Sequence, residues 1–200
     1  MERLSATNSL VVAQQKEWGE ILSGFEGKNR YTVSDEFGSQ LYLAVEESGS
    51  TILRWFLRAH RPFKVAVLGG DGAAVLRVVR PFRFYFHQAE VIDAEGRSLG
   101  TIVRRFSILR RRYSVVDGTG RETFQLFGPL LRPWTFRILQ DWVEVGKITK
   151  KWSGLLKEGF SDADNFCVLF PAEWDVRRKA LFLGAVFLID FVHFENKNDD

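Results

Sequence analysis

The feature that most constrains this chain is a run near its C-terminus, Ala180-Leu181-Phe182-Leu183-Gly184-Ala185-Val186-Phe187-Leu188-Ile189, with no polar side chain in it. A helix that is apolar all round has no face for water and must be buried in protein or in lipid. A helix from Val176 to Phe194 would be about 28 Å long at 1.5 Å per residue, enough to thread a β-barrel or nearly cross a bilayer. Charge decides between them. A spanning helix wants about 20 mostly apolar residues. Here Asp190 closes the run and His193 follows. A carboxylate deep in lipid costs about 2.5–3.5 kcal/mol even on the lenient insertion scale, and such groups are rare in membrane helices. The expectation is a helix sheathed by the rest of its own chain.

The preceding residues read as that sheath. Four times an apolar-rich stretch meets a short Asp/Gly turn and a second stretch returns. Arg30–Ser34 and Leu41–Glu46 flank Asp35-Glu36-Phe37-Gly38. Phe63–Leu68 and Ala74–Val79 flank Gly69-Gly70-Asp71-Gly72. Phe86–Ile92 and Leu99–Arg105 flank Asp93-Ala94-Glu95-Gly96. Arg112–Val116 and Glu122–Phe127 flank Asp117-Gly118-Thr119-Gly120. Gly supplies the positive φ of such turns, and Asp bonds back to its own backbone. Thr135–Leu139 and Glu144–Thr149 form a fifth pair, with the turn expected at Gln140-Asp141. In Phe82–Phe86 the Phe residues share one face of an expected strand, with Arg83 and Tyr85 on the other. Hairpins in series argue for an antiparallel sheet. Ten or more strands tend to curl or close, closure removes exposed edges, and a barrel that wide holds more than side chains. The fold class expected is mainly β: a closed antiparallel barrel around a buried C-terminal helix.

Composition narrows the function classes. A chain of 200 residues with 46% hydrophobic residues supports a real core. A net charge of +3 leaves any basic surface to local clustering. The lone Cys167 excludes a disulfide framework and argues against a cysteine zinc site. Met1–Val12 lacks the apolar core of a secretory signal, so an intracellular or peripheral-membrane location is the expectation.

Several segments resemble the C-terminal half of the phospholipid scramblases. They are Gly146-Lys147-Ile148-Thr149-Lys150-Lys151-Trp152-Ser153-Gly154, Phe160-Ser161-Asp162-Ala163-Asp164-Asn165-Phe166, Phe170-Pro171 and Leu188-Ile189-Asp190-Phe191. Upstream, Gly24-Phe25-Glu26, Asn29-Arg30-Tyr31 and Arg61-Pro62-Phe63 fit the same pattern. The likeness covers about residues 10–195. It implies a tubby-like barrel of twelve strands around a buried C-terminal helix. It also implies a membrane-associated protein that moves phospholipids between leaflets in response to calcium. Some relatives bind nucleic acid, and tubby relatives bind phosphoinositide headgroups. The chain departs from better-known members in lacking their cysteine cluster and in placing Cys167 where relatives have Gly. The expected organisation is an N-terminal segment over 1–23, with a short strand at Leu10-Val11-Val12 and a helix over Gln14–Leu22. A barrel over 24–195 and a polar tail over 196–200 follow.

Five candidate sites come from this reading. The resemblance implies calcium at the acidic segment Asp162–Glu173. Read as an EF-hand-like loop, it offers Asp162, Asp164 and Glu173, but Phe166 and Phe170 fall where oxygens are wanted and Val168 has only its carbonyl. Calcium takes six to eight oxygens, so the expectation is a weak site, of about millimolar affinity; an Asp-rich turn leading into a strand is the alternative. The basic residues Arg77, Arg80, Arg83, Arg104, Arg105, Arg110, Arg111 and Arg112 would suit phosphate headgroups or a nucleic-acid backbone if the sheet gathers them, or else form a solvated strand face. Lys147, Lys150 and Lys151 match a stretch that serves as a nuclear import signal in relatives; strand decoration is the alternative. Gly96-Arg97-Ser98-Leu99-Gly100 fits a hydrolase G-x-S-x-G pattern, which has force only on a strand-to-helix turn; here it follows a hairpin turn, and no covalent chemistry or small-molecule substrate is expected. His60, His87 and His193 show no metal or triad spacing. Asp190, if buried, must be paired, hydrogen-bonded or protonated, and is expected to anchor the helix, against an arginine of the wall. The alternative is a polar track for a headgroup.

Overall fold

The computed structural model describes residues 1–15, 29–47, 62–82, 86–108, 110–132, 134–150 and 165–194. Twelve strands are present: β1 Ser9–Gln15, β2 Arg30–Ser34, β3 Gln40–Glu47, β4 Phe63–Leu68, β5 Ala74–Arg80, β6 Gln88–Asp93, β7 Ser98–Arg105, β8 Arg111–Asp117, β9 Glu122–Gly128, β10 Thr135–Gln140, β11 Val143–Lys150 and β12 Asn165–Leu169. The helix α1, Val176–His193, follows them. Each strand pairs antiparallel with its neighbours in sequence, and β1 closes the ring between β2 and β12.

The hairpins owe their register to one turn chemistry. In three of them an Asp carboxylate oxygen accepts two backbone N–H groups: Asp35 from Phe37 and Ser39, Asp93 from Glu95 and Arg97, Asp117 from Thr119 and Arg121. A left-handed glycine follows in each, Gly38, Gly96 and Gly120 at φ 81°, 81° and 87°. Each of these turns is flanked by a one-residue register shift, the bulge that lets a right-twisted hairpin close.

Alternation fills the barrel. Val65 and Val67, Leu76 and Val78, Val91, Ile102, Val115, Phe124 and Leu126 all point inward and are buried. Against them lies α1, continuously buried from Lys179 to Phe191. Gly184 permits the approach to β6. A Cβ there would stand 2.5 Å from Cγ2 of Val91. Among the described residues no helix is long and apolar enough to cross a membrane.

Four expectations shift. β1 is a stave of the barrel, and Gln14 and Gln15 belong to it rather than to a helix; 16–28, with the expected boundary at residue 23, and the tail 196–200 lie outside the described residues. The last hairpin turns at Asp141-Trp142, one residue later than expected. Both sit in left-handed backbone (φ 49° and 67°), the two-residue turn that matches strand twist. Phe82 and Phe86 lie outside any strand, half-exposed, with Phe86 at φ 54°. Phe166 to Leu169 is strand rather than ion-binding loop.

The two ends of the barrel differ. Five short hairpin turns crowd one end, where α1 enters. At the other, where α1 leaves, lie the longer connections.

Candidate functional site

One set of buried polar groups lies at the end where α1 leaves. Two of its residues meet the wall there. Oδ2 of Asp190 accepts the Tyr31 hydroxyl at 2.8 Å, and Oδ1 lies 3.8 Å from Nζ of Lys150. Lys150 is buried (7% exposed) with its ammonium 4.4 Å from the Phe194 ring centre. Lys150 of β11 is thus a cation at this anchor, where an arginine was expected. Strand parity explains it: Ile148 and Lys150 face inward while Lys147 is exposed on the outer face. The three-lysine segment is therefore not one surface, and Lys151 lies outside the described residues.

One turn on, Nε2 of His193 is 2.7 Å from the Tyr113 hydroxyl. Burial, then the charges of Arg111, Arg104 and His87, push this imidazole down to about 3, so it is neutral. Burial likewise raises the Tyr113 phenol well beyond its usual range. Arg104, the register partner of Tyr113, and Arg111, two residues from Tyr113 on β8, hold inward positions of β7 and β8. The Arg111 guanidinium stands 4.6 Å over the Phe136 ring, and burial lowers its pKa. Among the described residues neither Arg104 nor Arg111 has a carboxylate partner. Arg80 is fully buried against the Phe63 ring and bonded to His87.

The arginines therefore divide by parity. Arg80, Arg104 and Arg111 line the inner mouth. Arg77, Arg105 and Arg112 face outward on the strands, where they meet Glu47, Glu122 and Gln125. Arg110 lies 5.2 Å over the outward ring of Phe127, and Arg83 lies outside the described residues. An array of guanidiniums around a mouth suits phosphate oxygens, which they bind in a planar fork. It also favours the negative end of the α1 dipole.

The acidic segment does not make one chelating loop. Asp162 and Asp164 lie outside the described residues, and β12 separates them from Glu173. Asn165 and Leu169 alone are about 13 Å apart along a strand. Phe166, Val168 and Phe170 are buried, and Phe166 and Val168 pair into the ladders with β1 and β11 on either side. These donors do not fit calcium as an EF-hand-like set. Ser98 opens β7 after a hairpin turn, not a helix. Cys167 is a buried free thiol, pushed up to about 12 by burial.

The sequence matches the Scramblase family over residues 1–196. This chain belongs to the phospholipid scramblase family. Phospholipid scramblase 1 of Rattus norvegicus is 31% identical across 100% of this chain and 64% of its own length. Phospholipid scramblase 2 of Bos taurus is 31% identical across 98% of this chain and 71% of its own. The chain thus spans about two thirds of the relatives it matches. A protein of Arabidopsis thaliana, 15% identical, has the same fold, with a TM-score of 0.53 over 95% of both chains.

Two features of this chain escaped sequence reasoning. Lys179, on α1, is fully buried and donates to the carbonyls of Ser5, Thr7 and Ala172 at 2.9, 2.8 and 3.0 Å, tying the N-terminus over the helix entrance. Desolvation lowers its pKa. A lysine in the first turn of an apolar helix was the available signal. The other feature is a set of exposed apolar residues on the connections beside the mouth.

Proposed function

We propose that this chain promotes two-way movement of phospholipids between bilayer leaflets, without making or breaking covalent bonds. The observation that supports this reading is membership of the scramblase family along the whole barrel. The guanidinium-lined mouth agrees with it: Arg104 and Arg111 offer fixed donors to a lipid phosphate at a barrel end. Because α1 fills the barrel, no lipid passes through it. Lipid exchange is then a property of the outer surface and the mouth, and α1 stays in place. Calcium enters only as a weak ligand of Asp162 and Asp164, two carboxylates where the ion wants six or more oxygens, and no step of the movement runs through it.

The test is leaflet exchange of a fluorescent phospholipid in vesicles reconstituted with the full chain. The expected result is protein-dependent exchange that persists when calcium is chelated. Vesicle binding with no exchange would replace this reading with that of an anionic-lipid binding module, for which the same arginines would serve. Retention of nucleic acid in place of vesicles would assign them to a phosphate backbone instead.

A further inference from the structure

Two connections meet beside the mouth. One follows β7 and carries Phe106 and Ile108, which are 78% and 85% exposed. The other follows β9 and carries Leu130 and Leu131, 67% and 93% exposed. The strand between them, β8, brings the two together. Nη2 of Arg111 reaches the Arg132 carbonyl at 3.5 Å. Arg110, Phe127, Pro129, Leu130 and Leu131 line one open, mainly apolar groove of about 340 Å³. Single exposed apolar residues are ordinary on a protein, but a contiguous set marks a contact surface.

Charge says what kind of surface it contacts. No Asp or Glu occurs between Glu95 and Asp117, or between Glu122 and Asp141, while Arg104, Arg105, Arg110, Arg111, Arg112 and Arg132 fall in those intervals. At the opposite end every hairpin turn carries at least one acid: Asp35, Asp71, Asp93, Asp117 and Asp141. Among the described residues the barrel is therefore polar along its axis. One end is acidic; the other presents apolar tips ringed by guanidinium. A protein partner with an acidic rim would meet the charges but has no need of tips this far out in solvent. An anionic bilayer meets both, since apolar side chains enter the acyl boundary while arginines stay at headgroup depth.

We propose that this chain docks on anionic phospholipid bilayers by this end, inserting Phe106, Ile108, Leu130 and Leu131, with Arg110 and Arg132 at the headgroups. The long axis of the barrel then stands toward the membrane, and the guanidinium-lined mouth faces lipid phosphates. This orientation rests on the reading that the chain works on phospholipid bilayers, but it is measured separately from lipid exchange.

The test is co-sedimentation of the full chain with phosphatidylcholine vesicles, with and without phosphatidylserine. The double variant Leu130→Ser/Leu131→Ser should melt at the parent's temperature and partition roughly tenfold or more less, because two leucine side chains no longer leave water. Arg110→Gln should weaken binding only when phosphatidylserine is present. Trp142 is the control. It is 74% exposed at the hairpin end beside Asp141, and Trp142→Asn should bind as the parent does. Undiminished binding by the double variant overturns the orientation, and so does weakened binding by Trp142→Asn. A change in self-association instead of vesicle binding assigns the tips to a second copy of the chain and also overturns it. A parent that binds as expected but exchanges no lipid contradicts the proposed function and leaves the docking surface standing.

Discussion

Replacing Asp190 with leucine lowers the stability of the fold by about 3–5 kcal/mol, the usual penalty for breaking a buried ion pair by removing one member. Asp190 is 4% exposed and Lys150 7% exposed, so neither is bathed in solvent. Losing the carboxylate removes a charge partner 3.8 Å from the Lys150 ammonium and an acceptor 2.8 Å from the Tyr31 hydroxyl. Lys150→Met alone has the same sign. The double variant Lys150→Met/Asp190→Leu recovers most of the loss, because apolar residues of similar volume often match or exceed a buried pair. Urea denaturation at constant m-value reads all three. If Asp190→Leu left the midpoint unchanged and abolished lipid exchange, the carboxylate would serve lipid rather than the fold.

Phe182→Ala is the second large effect, about 3–5 kcal/mol, from lost transfer energy and the cavity left behind. Phe182 has no exposed surface. Its ring stacks 5.2 Å from Trp174 at 26° and meets Phe124 of β9 edge-on at 5.2 Å. The helix residue, the loop that precedes the helix and the barrel wall all lose a partner together. Leu131→Ser, by contrast, stays within about 0.5 kcal/mol, as exposed positions do. Equal thermal denaturation of Phe182→Ala and the parent would mean that the helix is not packed inside the barrel.

These two residues also mark what the sequence made legible. The uninterrupted apolar run around Phe182 required burial, and the Asp…Gly turns fixed where strands reverse. Together they identify a barrel with a filling. The partner of Asp190 was not legible. Whether Lys150 faces in or out depends on register in β11, which shifts by one residue between Ile138 and Leu139 of its partner. A one-residue shift exchanges the faces of a strand. For the same reason the arginine clusters, contiguous in the chain, split between mouth and outer wall. The acidic segment looked like one loop because its acids lie within twelve residues. A strand, Asn165–Leu169, runs through its middle. Phe82 to Phe86 alternates like a strand, yet Phe82 and Phe86 themselves lie outside any strand. The exposed tips at Leu130 and Leu131 had a sequence signal, apolar pairs beside arginines with no acid near. It became meaningful only once the topology put two such connections at one end.

The central claim is that the helix stays sheathed while the protein acts, and a covalent lock tests it most directly. A Cβ at position 184 lies 2.5 Å from Cγ2 of Val91. One carbon–carbon bond of about 1.5 Å then puts the two Cβ atoms within about 4 Å, inside the range of a disulfide. In a Cys167→Ser background, Val91→Cys/Gly184→Cys should bridge α1 to β6. The measurement is the rate of leaflet exchange by the bridged protein before and after reduction. Equal rates are the predicted result. Exchange that begins only when the bridge is reduced would mean that the helix must leave the barrel, contradicting the account.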